Sequence, residues 1–457
     1  MFFPDRDPQA GQALPIHPVD AKASPDWPSA FDERDRRWID ASRFEAEPGS
    51  HLVIPAADGS PGRVLVGFRA DVPCWTLAGL PAALAEGDYA VEGDFEADAI
   101  EALAIGWALG HYRFDRYKSG QRPTCRLKVP AGRIQRLEII RDALFRVRDL
   151  VNTPASDLGP GELGEVVREL AQGCGADFEV TEGDELAEEY PAIHAVGRAA
   201  SRGPRLIRME WGNPAHPGLA LVGKGVIFDS GGLNIKPGSG MVLMKKDMGG
   251  AAHVIGLAEM IMRLELPVHL RVYIPAVENA ISGNAYRPSD ILTTRNGTTV
   301  EIGNTDAEGR IVLSDALTLA AEEDAERIID FATLTGAARV ALGEDLPPLY
   351  ARNDDQARAI QDLSMAIEDP LWHMPLYKPY KPQIQPAIAD LSNTGTTSQG
   401  GSLTAALFLD HFVPEGIDWM HLDIYAWNLS DRPGRPAGGE AQALRVMLAW
   451  LEREYQE

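Results

Sequence analysis

Residues 219–232 read Leu219-Ala-Leu-Val-Gly-Lys-Gly-Val-Ile-Phe-Asp-Ser-Gly-Gly. An uninterrupted apolar run stops at a glycine, a lysine follows, and an aspartate sits among glycines a few residues on. Strands that are apolar without alternation are those buried on both faces, as in parallel sheets covered by helices. The rest of the chain from residue 161 repeats that design. Further strands are predicted at Phe178–Val180, Leu206–Trp211, His269–Pro275, Ile328–Ala332 and Trp419–Leu422. Helical periodicity falls between them at Gly161–Gly173, Ala251–Leu264, Val312–Ala325, Asp354–Ile367, Ser402–Phe412 and Gly438–Glu454. This alternation predicts a large α/β domain with a mostly parallel central sheet, whose site gathers at the carboxyl ends of its strands.

Upstream, strand-like runs at His51–Ile54 and Arg63–Phe68 flank a turn signal at residues 57–62. A helix at Ala97–Leu109, a strand at Cys125–Val129 and a long amphipathic helix at Ile134–Val151 follow. They predict a smaller N-terminal α/β domain. Residues 1–50, rich in Pro and Asp, read as an extended, loosely packed arm. Pro154 in Asn152-Thr-Pro-Ala-Ser forbids helix continuation. The domains are therefore placed at 1–140, a linking helix and turn at 141–160, and a catalytic domain at 161–457.

Charge narrows the function. With 43 basic and 67 acidic residues the chain carries −24 at pH 7, which disfavours nucleic acid and anionic membrane surfaces as partners. The basic stretch Arg133 to Arg148 reads as a solvated helix face. Cys74, Cys125 and Cys174 are odd in number and widely spaced, so they read as reduced, buried thiols of a cytoplasmic protein rather than as disulfides or a zinc site. The N-terminus lacks the pattern of a usual signal peptide, and no apolar run approaches the ~18 residues that span a bilayer.

Four acids lie in glycine-rich settings: Asp229 in the opening stretch, Asp247 in Lys246-Asp-Met-Gly-Gly, and Asp306 and Glu308 in Asn304-Thr-Asp-Ala-Glu-Gly-Arg. If they converge they need cations. Oxygen donors suit Zn²⁺, Mn²⁺, Mg²⁺ or Co²⁺, and four carboxylates exceed the usual need of one catalytic ion, which favours a two-metal site. No His-x-x-x-His ligand pair is present. Each acid alone also fits an Asx turn or helix cap, Asp306 fits a cap for the following helix, and Arg310 fits a partner for Glu308. Lys224, between glycines at a strand end, is oddly placed for a solvated lysine.

Three blocks carry a resemblance: Leu221 to Pro237, Met244-Lys-Lys-Asp-Met-Gly-Gly-Ala-Ala, and Asn304 to Arg310. With Ala332-Thr-Leu-Thr-Gly-Ala, Ile388 to Asn393 and Gly400 to Leu409, the chain from about Arg141 onward resembles the leucyl (cytosol) aminopeptidase family of two-metal exopeptidases. The resemblance implies a metallo-hydrolase that removes the N-terminal residue of peptides through a water or hydroxide bridging two divalent ions, zinc or manganese. It implies one ion on Lys224, Asp229, Asp247 and Glu308 and the other on Asp229, Asp306 and Glu308. A ligating Lys224 requires a neutral amine, far below its usual pKa of about 10.4. The resemblance further implies that Lys236 stabilises the oxyanion, that Arg310 holds a bicarbonate serving as general base, and that Thr333, Leu334 and Gly336 line the substrate. It gives Met244 a place in the side-chain pocket, although that methionine equally fits the core. A macro-like small domain and a homohexamer are also implied. The rivals are a dipeptidase of the Cys-Gly type or an amino-acid-amide hydrolase on the same site, and a DNA-binding or scaffold role without catalysis. Residues Tyr425–Gly439 depart from the family's glycine-rich segment at that point, so the resemblance leaves the preferred N-terminal side chain open.

Overall fold

A computed structural model describes residues 1–4, 13–120 and 124–456 of the chain. It divides into two compact units. One comprises Met1–Phe145 with the short segments Ala366–Glu368 and Leu429–Ala437; the other comprises Arg146–Met365, Asp369–Asn428 and Gly438–Glu457.

The first unit is built on a six-stranded sheet. Phe2–Pro4, Arg126–Val129, Asp88–Val91, Leu14–Val19 and Pro61–Gly67 lie side by side in that order and run parallel, and His51–Pro55 closes the edge antiparallel. The arm expected over residues 1–50 is therefore corrected. Leu14–Val19 is an interior strand, with Ile16 buried between neighbours on both sides. Glu33–Ser42 is a helix whose N-cap Asp32 accepts from the Asp35 amide. Alternation is hidden there because prolines at 15 and 18 interrupt the strand pattern. Residues 5–12 of that stretch lie outside the described residues. The helices Ala97–Gly110 and Ile134–Asn152 match the periodicity that predicts them.

The second unit holds a nine-stranded sheet. Its centre is four parallel strands, Asp418–Asp423, Arg327–Ala332, Gly218–Gly223 and His269–Asn279, in that order. Arg205–Trp211 and Asp177–Glu182 extend one side antiparallel; Pro348–Ala351 and then Trp372–His373 extend the other. A further short strand, Gly225–Asp229, pairs parallel with the far end of His269–Asn279. Helices Gly249–Arg263 and Glu308–Glu322 are buried along nearly their whole lengths, as helices covering a doubly enclosed sheet must be. Every residue of Gly218–Gly223 is buried, which agrees with its unbroken apolar run.

Four expectations change. Asp229 is the last residue of a strand, not part of a turn. The C-terminal helix starts at Leu444, because Gly438–Gly439 instead pairs with Trp427–Asn428. Arg148 is buried and ion-paired with Glu440 at 2.9 Å rather than solvated. Cys174 is half-buried, while Cys74 and Cys125 are buried, and all three are free thiols. No helix among the described residues is long and apolar enough to cross a membrane.

Candidate metal centre

The parallel strands deliver their functional groups at their carboxyl ends. Lys224 follows Gly218–Gly223, Asp229 ends Gly225–Asp229, Thr333 follows Arg327–Ala332, and Asp423 ends Asp418–Asp423. Asp247 comes from the short 3-10 helix Met244–Met248, and Glu308 opens the helix Glu308–Glu322. The N-cap of that helix is Ala307, with no side-chain cap, so Asp306 is not the cap it could have been.

Carboxylate oxygens of Asp229, Asp306 and Glu308 lie within 4.8 Å of one another. Asp247 joins them through Lys224, whose Nζ stands 2.8 Å from Asp247 Oδ2 and 2.9 Å from Glu308 Oε1. Lys236 Nζ lies 2.7 Å from Asp229 Oδ2 and 2.5 Å from Asp306 Oδ1. Lys224, Asp229, Asp247 and Glu308 are each 3% exposed or less. Four carboxylates against two ammonium groups leave this enclosure short of positive charge.

The pKa shifts follow from that deficit. Burial, then the neighbouring Asp229 charge, lifts the Glu308 carboxyl to about 8 against the pull of Lys224. Burial and Asp229 likewise raise Asp306. Burial works against the Lys224 ammonium, but the charges of Asp247, Glu308 and Asp229 outweigh it and hold its pKa above the ordinary lysine value. Lys236 is raised for the same reason, burial being outweighed chiefly by Asp229. The neutral Lys224 that metal ligation requires is thus not the state these carboxylates favour by themselves; dications must displace its proton. The donor set fits such ions. Glu308 Oε2 is buried with no hydrogen-bond partner, an orphan acceptor facing a site rich in others.

The backbone is shaped for these contacts. A Cβ at Gly309 would stand 2.6 Å from Lys224 Cε and 2.7 Å from its Nζ, so only glycine lets the lysine cross the helix's first turn. Gly231 has φ +88°, and a Cβ there would lie 2.9 Å from Asp306 Oδ1.

Surrounding groups aim the acids. Asn279 Nδ2 donates to Asp229 Oδ1 at 2.8 Å and to Thr305 O at 3.0 Å. Tyr286 Oη donates to the same Thr305 carbonyl. Thr333 Oγ1 donates to Asp247 Oδ1 at 2.8 Å, and Thr333 O accepts from Lys224 Nζ at 3.1 Å. Asp423 in turn clamps that turn: its carboxylate accepts from the Leu334 and Thr335 amides, from Thr335 Oγ1 and from Ser402 Oγ. Asn279, Tyr286 and Asp423 are not identified by motif reasoning. Asp423 stands in His421-Leu-Asp-Ile, and its position at a parallel strand's carboxyl end was the one available signal.

Arg310 does not pair with Glu308. Its Nη1 donates to Asn393 O at 2.7 Å, and its Nε is buried without a partner. Burial pulls its pKa down to about 10, opposed by Glu308 and Asp423, which leaves it cationic at neutral pH. Leu334 and Met244 are half-buried and Gly336 is exposed; of the three, Leu334 is tied to the site by its amide, which donates to Asp423 Oδ1 at 3.0 Å.

These strands, acids and lysines coincide with a known catalytic domain. The profile described as "Cytosol aminopeptidase family, catalytic domain" matches residues 145–448, and "M17 aminopeptidase, N-terminal domain" matches residues 14–130. The chain belongs to the cytosol aminopeptidase family. Its relatives include a probable cytosol aminopeptidase of Syntrophotalea carbinolica, 40% identical over 376 residues, covering 78% of this chain and 75% of that one. Among solved structures it is similar to the cytosol aminopeptidase of Coxiella burnetii, with TM-score 0.95 and 46% identity over 99% of both chains. The bottromycin maturation enzyme BotP in complex with Mn gives TM-score 0.88 and 31% identity, covering 97% of this chain and 100% of that one. The two-unit α/β architecture expected from sequence is the one these structures share. The family consists of metal-dependent aminopeptidases, hydrolases that act on peptide bonds.

Proposed function

We propose that this chain removes the N-terminal residue of peptides bearing a free α-amine, using two divalent ions. Lys224, Asp229, Asp247 and Glu308 would hold one ion, and Asp229, Asp306 and Glu308 the other. The observation that carries this is the convergence of Asp229, Asp306 and Glu308 within 4.8 Å, with a buried Glu308 oxygen lacking any partner. Zinc and manganese are the candidates, and the manganese of the BotP structure supports the second. Bound divalent ions would supply Lewis acidity and bring the pKa of water towards neutrality.

The chain's own groups supply the rest. Asp247, fixed by Thr333, offers the anionic face at which a substrate α-amine is received, and that demand confines cleavage to the first residue. Lys236, kept cationic by Asp229 and Asp306, would polarise the scissile carbonyl and stabilise the oxyanion as charge develops. The buried acids are committed to cations, so the proton acceptor must come from elsewhere. Arg310 presents a planar guanidinium with a partnerless Nε, which suits a planar oxyanion such as bicarbonate in that role. The turn Thr333–Thr335 and Gly336, with Met244, would line the substrate. The chain would work as a homohexamer, and a cytoplasmic location accords with the names of the cytosol aminopeptidases it resembles.

The test is hydrolysis of a peptide panel by protein stripped with a chelator and reloaded with Zn²⁺, Mn²⁺ or Mg²⁺, alongside Glu308→Ala. Activity should vanish on stripping and return with at least one ion, and the variant should lose at least ~100-fold. Full activity in the stripped protein or in Glu308→Ala would overturn the assignment.

A further inference from the structure

The block Ile388 to Asn393 ends at a residue to which the chemistry above gives no role. Asn393 follows the short strand Leu391–Ser392, which pairs parallel with Thr299–Glu301, the strand that leads into the Asn304–Arg310 loop. Its side chain is wholly buried. The carboxamide Oδ1 accepts from the Gly303 amide at 2.8 Å and from the Asn304 amide at 3.3 Å. Nδ2 donates to Asn304 O at 2.7 Å and to Ala307 O at 3.3 Å. A carboxamide has two hydrogens to donate and two lone pairs to offer, and here all of them go to one loop. The backbone carbonyl of the same residue accepts from Arg310 Nη1 at 2.7 Å, the one hydrogen bond of that guanidinium among the described residues.

These bonds bracket Asp306. Of the four acids it is the least enclosed, its side chain 31% exposed against 4% or less for Asp229, Asp247 and Glu308. Asn279 holds Asp229, Thr333 holds Asp247, and Glu308 is carried by its helix. The Asp306 carboxylate has only the Lys236 ammonium as a polar contact among the described residues. Its aim therefore depends on its backbone, which is gripped from two sides. Thr305 turns one way, its hydroxyl donating to Gly231 O at 2.6 Å and its carbonyl accepting from Asn279 and Tyr286. Asn393 grips residues 303, 304 and 307 from the other. On the aminopeptidase reading above, on which this inference rests, Asp306 serves only the second ion and Arg310 holds the planar anion. We propose that Asn393 is a positioning residue of the reaction: its side chain sets the loop that presents Asp306 to the second ion, and its carbonyl keeps Arg310 in register with that loop. Both groups it fixes are ones the chemistry uses, and neither side chain has another hydrogen-bonded anchor among the described residues. Groups that orient metal ligands from behind act on affinity without touching the ion.

The experiment uses the full-length protein, stripped and titrated with Mn²⁺ against a fluorescent chelator, so that ion binding is read apart from activity. Asp306→Asn identifies which of the two binding steps belongs to the second ion. Asn393→Ala should weaken that same step at least ~10-fold and move the other less than ~3-fold. The control is Asp390→Ala. Asp390 joins the same two strands by accepting from the Thr299 amide and hydroxyl, but does not reach the loop, so both steps should stay as in wild type. With Mn²⁺ saturating both steps, turnover is measured on whichever of the Leu, Ala, Glu and Lys p-nitroanilides the wild type cleaves fastest. There Asn393→Ala should keep kcat at least ~10-fold low with KM within ~3-fold, because the guanidinium remains unanchored. Asn393→Ser is read in the same way should the alanine variant not fold. Unchanged affinity, equal weakening of both steps, or the same losses in Asp390→Ala would make Asn393 a fold element and overturn the proposal. A kcat restored by saturating Mn²⁺ would overturn the tie to Arg310. Wild-type protein that takes up one ion or none would overturn the two-metal reading itself, and this inference with it.

Discussion

Glu308 and Lys224 face one another across 2.9 Å, and each is driven to keep a proton while no dication is present. Glu308 is lifted by burial and Asp229 from its usual 4.5 to about 8. A raised carboxyl pKa means that the folded, metal-free chain binds this proton more tightly than the unfolded one. That contribution is complete below about 4.5 and is lost as pH rises through about 8. Lys224 is held above its ordinary value by Asp247, Glu308 and Asp229 despite burial. Metal ligation needs both groups without protons, so binding the first ion at pH 7 should release between one and two protons, and affinity should climb as pH rises towards 8 and beyond. Calorimetry in buffers of different ionisation enthalpy reads this directly. Binding heats independent of buffer would contradict it. At this scale the sequence is legible where a residue type is out of place. A lysine between glycines at the end of an apolar strand, and acids set among glycines, each break an ordinary expectation. Asn279, Thr305 and Gly309 do not. An Asn late in a strand or a Gly early in a helix has many ordinary uses, and only the folded chain shows that Gly309 exists to admit Lys224.

Elements arrange these residues by ending in the right place. The four central strands are parallel, so the chain delivers Lys224, Thr333 and Asp423 to one edge, while Gly225–Asp229 brings Asp229 there. The central strands are legible because their apolar runs are unbroken; Gly225–Asp229 is not, since five residues flanked by glycines look like a turn. The interior strand Leu14–Val19 is likewise masked by its two prolines. Asp423 shows what one strand end can do for another. It accepts the Leu334 and Thr335 amides at 3.0 Å each and the Thr335 hydroxyl at 2.6 Å, and this turn carries the Thr333 that aligns Asp247 and Lys224. Asp423→Asn exchanges one acceptor for a donor, leaving a buried donor unsatisfied at a cost of about 1–3 kcal/mol. We expect a 10–100-fold weaker metal affinity in chelator competition, the scale on which groups behind metal ligands act, together with a raised KM. A variant that merely melts earlier, with affinity and KM unchanged, would reduce Asp423 to a fold element.

On the scale of the whole molecule, the site residues all belong to the second unit, 146–365 with 369–428 and 438–457. The segment that departs from the family pattern is divided as well: 425–428 and 438–439 belong to this unit and 429–437 to the other. Sequence periodicity cannot reveal such a division, because it reports local structure and not which unit a loop joins. Burying four carboxylates against two ammonium groups opposes folding of this unit, in a chain whose net charge of −24 already favours expansion. Divalent ions bind the folded cage and have no preformed site in the unfolded chain, so they should stabilise by mass action, about 2.7 kcal/mol at 100 times the dissociation constant. For a unit of this size that is roughly a 5 °C rise in Tm. Calorimetric melts of stripped protein, titrated with Mn²⁺ or Zn²⁺, should show the rise growing with the logarithm of ion concentration. Because part of the stabilisation replaces a proton on Glu308, the rise should be larger at pH 8.5 than at pH 6. In Glu308→Gln, which keeps the shape and removes the charge, the stripped protein should melt higher than wild type at pH 8.5 and gain less from metal. A Tm indifferent to added ions, or an equal gain in wild type and Glu308→Gln, would show that these carboxylates do not form a cation site.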